Sequence, residues 1–139
     1  MNLSVSNKEI LVKEIRTAAD YMKKATTIQE KLFFFSAVFG IANRLMNIEF
    51  DPELGFLHHV TQAAFNTINP NMLMATQGQS PVTFPPSVFD KLQEALNDLA
   101  ICIEDGKPIY KQLQRISNLA YSASGNGYYL FLKGALKVE

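Results

Sequence analysis

Few residues in this chain could do chemistry. His58 and His59 stand side by side, a single cysteine lies at position 102, and the carboxylates are scattered. A carboxylate-bridged metal pair in a helical bundle needs a glutamate three residues before each histidine, both projecting inward. Gly55 and Phe56 occupy those positions, so the motif is absent. Adjacent histidines on a helix point about 100° apart, which suits them poorly to one ion. A zinc site also needs at least three protein ligands. No metal and no cofactor is therefore expected. Cys102 could serve as a nucleophile only beside a base; between Ile101 and Ile103 it reads as a buried structural thiol. Gly125-Asn126-Gly127 lacks the third glycine and the preceding strand of a dinucleotide loop, and no Walker-type lysine loop occurs. Nothing unites a nucleophile, a base and a stabiliser, so the chain is not expected to be an enzyme.

Composition narrows the class further. At 139 residues, 47% apolar and 11% aromatic, the chain suits one domain over 1–139 with a real core. One cysteine excludes an internal disulfide framework. Thirteen basic and 13 acidic side chains cancel, which argues against a general polyanion binder and hence against nucleic acid. No apolar run near Met1 resembles a secretory signal. The uncharged stretch 32–43 holds 12 residues. As a helix that is about 18 Å, short of a hydrocarbon core of ~30 Å. A cytoplasmic protein with no membrane contact is expected.

The elements that must position any site are helices. Ser6-Asn7-Lys8-Glu9 has capping-box spacing and predicts a helix over 7–24 with Leu11, Ile15, Ala18 and Met22 inward. Its other face carries Glu9/Lys13, Arg16/Asp20 and Asp20/Lys24 at i,i+4, the pattern of a solvated surface. Thr27-Ile28-Gln29-Glu30 is a second box, opening a helix over 28–47 that is apolar on two faces. Such a helix is expected at the centre, with Gly40 admitting a neighbouring backbone. Asp51-Pro52 starts a third helix, expected to stop near 68 before Asn69-Pro70. A connector over about 69–86 follows. Helices over 86–105, closed by Gly106, and 108–122 come next. The segment 128–138 reads as a sixth helix, with a strand as the alternative. The fold class is all-α: an antiparallel bundle of five to six helices with one long connector.

Two charge patterns remain. Residues 54–89 contain no Asp, Glu, Lys or Arg in 36 positions, where the rest of the chain would supply roughly nine. One reading is a helix more buried than average followed by a neutral loop. The other is a contact surface, since depletion of charge with Met, Phe, Asn and Gln retained marks interface centres. On that reading His58, His59, Gln62, Asn66, Asn69, Met72 and Met74 contact another protein, first of all a second copy in a dimer, and paired histidines would make assembly pH-dependent. The alternative function is a small apolar-ligand pocket lined by Phe33, Phe35, Phe39 and Phe56, with Asn43 or His59 as its polar contact. The second pattern is a row Asp90, Glu94, Asp98 and a row Lys107, Lys111, Arg115, both at i,i+4 spacing. Two antiparallel helices joined at 105–108 are expected to pair them.

Overall fold

The computed structural model describes the backbone of residues 1–76 and 87–122, and the side chains of 1–69 and 87–122. Among these described residues run five helices: α1 (Val5–Lys24), α2 (Ile28–Met46), α3 (Pro52–Thr76), α4 (Ser87–Glu104) and α5 (Tyr110–Ser122). The segment 128–138 lies outside the described residues, as does the connector beyond Thr76.

Start signals act locally. Thr27 Oγ1 accepts the Glu30 amide at 3.1 Å and donates to Glu30 Oε1 at 3.0 Å, so the second capping box is used hydroxyl to carboxylate. Asp51 Oδ1 accepts the amides of Glu53 and Leu54 at 2.9 and 3.1 Å, the expected N-cap of α3. The first box is a correction. α1 starts earlier, with Ser4 as its cap, and Ser4 Oγ takes the Asn7 amide at 3.4 Å. Leu3 is buried and the Ser4 amide is held by Glu49 at 2.8 Å. These anchors fix the chain's entry before Ser6 is reached.

α4 ends as expected. Gly106 has φ +69°. Its amide bonds to Ile103 O at 3.2 Å and that of Lys107 to Cys102 O at 2.8 Å, the two bonds of a Schellman motif. α3 is a second correction, running through Asn69-Pro70 to Thr76. Pro70 removes one donor, the one that would have reached the carbonyl of Asn66. Asn66 lies on the exposed side, where water can satisfy that oxygen.

Packing partners form a closed circuit: α1 lies against α2 and α4, α3 against α2 and α5, and α4 against α5. The core is continuous, with Leu11, Ile15 and Met22 of α1 meeting Leu32, Phe35 and Val38 of α2, Leu54, Leu57 and Ile68 of α3, and the leucines of α4 and α5. This arrangement corrects the central position expected for α2. Its two apolar faces serve two flanking neighbours, with only marginal contact to α4. Gly40 is half-exposed, and a methyl built there meets nothing within 4 Å among the described residues, so no backbone of theirs approaches it. No helix among the described residues is long and apolar enough to cross a membrane.

Candidate functional site

α3 divides into four stripes. Leu54, Leu57, Thr61, Ala64 and Ile68 face the core, and the buried Thr61 hydroxyl donates to Leu57 O at 2.6 Å. One flank meets α2: Phe65 packs edge-on against Phe39 with ring centres 5.5 Å apart, and Gly55 lies beside Met46. The other meets α5: Phe56 packs edge-on against Tyr110 at 5.9 Å, and Glu53 Oε2 accepts the Ile109 amide at 3.3 Å. The fourth stripe, Phe56, His59, Gln62, Ala63 and Asn66, is exposed, and none of these side chains carries a fixed charge.

Of the residues expected at a contact surface, His59, Gln62 and Asn66 therefore share one open stripe. His58 and Asn69 are half-buried on the α2 flank, at helical spacing from Gly55 and Phe65. The two histidine rings lie 5.4 Å apart. His58 Nδ1 is buried with no hydrogen-bond partner, which carries a desolvation cost. The side chains of Met72 and Met74 lie outside the described residues.

The five pocket candidates are dispersed. Phe35 is wholly buried in the core, and Asn43 is exposed. Phe33 is 69% exposed and rests edge-on against Phe34, which stacks on Tyr21 of α1 at 5.0 Å. Phe39 belongs to the α2–α3 seam and Phe56 to the α3–α5 seam. The structure does not gather them around one cavity. A groove of about 520 Å³ lies elsewhere, along α1, with Val12 on its floor and Lys8, Lys13, Arg16 and Glu104 on its walls.

The charged rows meet at one end only. Arg115 lies 3.0 Å from Asp98 and 3.4 Å from Glu94. Asp90 and Lys111 form no ion pair among the described residues. Antiparallel rows of equal spacing meet in reverse order, which would set Lys111 beside Asp98 and Arg115 beside Glu94; the register instead gives both carboxylates to Arg115. Arg16 pairs with Glu104 of α4 through two bonds of 2.8 and 3.1 Å rather than with Asp20 on its own helix. That contact raises the Arg16 pKa and holds Glu104 below the usual carboxylate range. It also relieves the unfavourable placing of an acid at the C-terminal end of α4.

Cys102 is half-buried rather than buried, with the Gln112 amide nitrogen 4.0 Å from its sulfur. Among the described residues no three His, Cys, Asp or Glu side chains are gathered as a metal site requires.

One constellation escaped the sequence reading. Glu49 and Asp51 of the α2–α3 loop and Glu53 of the first turn of α3 alternate along the chain and bind backbone donors from distant segments. Asp51 Oδ2 takes the Asn2 amide at 2.8 Å. Glu49 takes the Ser4 amide at 2.8 Å and the Asn7 side-chain amide at 2.7 Å. The Asn7 bond foremost, with the Ser4 amide, holds Glu49 below the usual carboxylate range, against its burial and the nearby charge of Asp51. Glu53 Oε1 lies 3.1 Å from the Met1 amino group. Alternating carboxylates around an Asp-Pro helix start were the available signal. In comparisons with known proteins, the chain matches no family model, no curated sequence and no solved structure.

Proposed function

We propose that this chain is a cytoplasmic, non-enzymatic protein-interaction module that self-associates, first of all as a dimer, through the uncharged segment 54–89. The supporting observation is the outer stripe of α3: Phe56, His59, Gln62 and Asn66 are exposed and uncharged. Phe56, 52% exposed beside Tyr110, gives this stripe an aromatic element of the kind enriched at contacts. A surface without fixed charge suits a second copy of itself, because a two-fold contact brings residues near its axis beside their own equivalents and like charges there would repel.

The test is the mass in solution. Light scattering should give the wild type twice the chain mass of 15.6 kDa. Asn66→Lys and Gln62→Glu should each lower that mass with the helical signal intact, since a charge buried at a contact without a partner is costly. Variants that keep the wild-type mass overturn the proposed surface.

A further inference from the structure

We propose that residues 1–4 form a detachable strap, clasped to the bundle by the carboxylates of Glu49 and Asp51, whose release bares the apolar seat of Leu3. Two features of the segment point this way. Ahead of its join to α1 at the Ser4 cap it is held by side-chain oxygens rather than by a sheet ladder: the Met1 amino group by Glu53 at 3.1 Å, the Asn2 amide by Asp51 at 2.8 Å, the Ser4 amide by Glu49 at 2.8 Å. Of its side chains, Leu3 is buried in the core and Met1 packs partly buried against it. A segment with few apolar contacts and a handful of hydrogen bonds opens locally, well below the free energy of global unfolding.

Opening would enlarge an apolar patch. Val5, next to Ser4, is 75% exposed, and Ile48 and Phe50, on either side of Glu49, are 74% and 77% exposed. With the strap in place these three are neighbours in sequence of the two residues that the Ser4–Glu49 bond joins. With it released, Leu3 and its seat join them.

Glu49 is the controlling group. It receives two bonds from the N-terminal side, from the Ser4 amide and the Asn7 side chain. Among the described residues no basic side chain is paired with it. The charged group facing it is Asp51, on its own loop. Its attachment therefore depends on its ionised oxygens accepting both donors, and protonation weakens both bonds together. Asp51 also caps α3, so a substitution there would disturb that helix as well as the strap; Glu49 accepts no amide of α3 and acts on the strap and the Ser4 cap alone.

The experiment is amide hydrogen exchange by NMR on the full chain, for wild type and Glu49→Ala at neutral pH. In the wild type the Ser4 amide should be protected. In Glu49→Ala its protection should fall about tenfold or more while amides at Ile15, Leu96 and Ile116 keep theirs. An apolar fluorescent dye should bind Glu49→Ala more strongly than wild type. Asn7→Ala, which removes one of the two Glu49 bonds, gives the same readout at smaller amplitude should Glu49→Ala not fold. An unprotected Ser4 amide in the wild type overturns the clasp. Equal loss of protection at Ser4 and in the helices shows the segment to be part of the global unit, and equal dye binding shows that nothing is bared. Either result sinks the strap.

Discussion

Arg115 shows how much a single side chain can tie together and how little of that is charge. Its guanidinium reaches Asp98 and Glu94, both half or more exposed, while its own side chain is only 20% exposed. Ion pairs with exposed carboxylates contribute under about 1 kcal/mol each. The aliphatic stem lying over α4 contributes by burial. Arg115→Ala is expected to cost about 1–2 kcal/mol in urea unfolding, with most of that loss persisting in 1 M salt, where surface charge is screened. A loss that vanishes in salt would assign the effect to the ion pairs. That the two rows would meet was legible from their spacing. That, among the described residues, Arg115 alone of the basic row would reach the acidic row, with Lys107 pairing Asp105 at the turn instead, was not, because the register of α4 against α5 is set by where the Gly106 turn places Ile109 and Leu113 in the core.

Two glycines at the element scale have opposite consequences. Gly106 sits at φ +69°, a conformation that side chains resist, and closes α4. Gly106→Ala is expected to cost about 1 kcal/mol. Gly40 lies inside α2 with open space where a methyl would go. Gly40→Ala is therefore expected to stabilise the protein by about 0.5–1 kcal/mol through helix propensity. Thermal unfolding distinguishes them by the sign of the shift. Helix boundaries were readable to this extent because caps are local chemistry: Thr27, Asp51 and Gly106 each act within a few residues of themselves. The errors came where distance entered. Ser6 lost the cap to Ser4 because Glu49, far along the chain, holds the Ser4 amide. α2, apolar on two faces, read as central because a helix in a closed circuit also needs a wide apolar arc for its two flanking neighbours. The candidate contact stripe was legible as missing charge, and three of its residues, His59, Gln62 and Asn66, share the open face of α3 while His58 and Asn69 turn to the α2 flank; the pocket candidates were grouped by residue type alone, and type carries no position.

The circuit of helices is closed by contacts between α1 and α4 and between α3 and α5, and carboxylates bind across both. Arg16 and Glu104 link the first pair, Glu53 and the Ile109 amide the second, and Glu49 ties the N-terminal segment to the loop before α3. Glu104 and Glu49 are both held below the ordinary carboxylate range, the first by the Arg16 hydrogen bond and charge, the second by Asn7 and Ser4. In the folded state these groups stay ionised at a pH where the unfolded chain has begun to take up protons. Their contribution is therefore complete above the unfolded carboxylate value of about 4.3 and is lost as pH falls through the lower folded values. Unfolding by urea should show stability level near neutrality and declining below about pH 5. The Glu49→Gln, Glu104→Gln double variant should start lower at pH 7 and decline less steeply, because two of the groups that take up protons on unfolding are gone. The two sites lie on different seams and share no partner, so their effects should add. An acid limb of unchanged slope in the double variant would place the pH dependence elsewhere in the bundle and remove these carboxylates as its closing contacts.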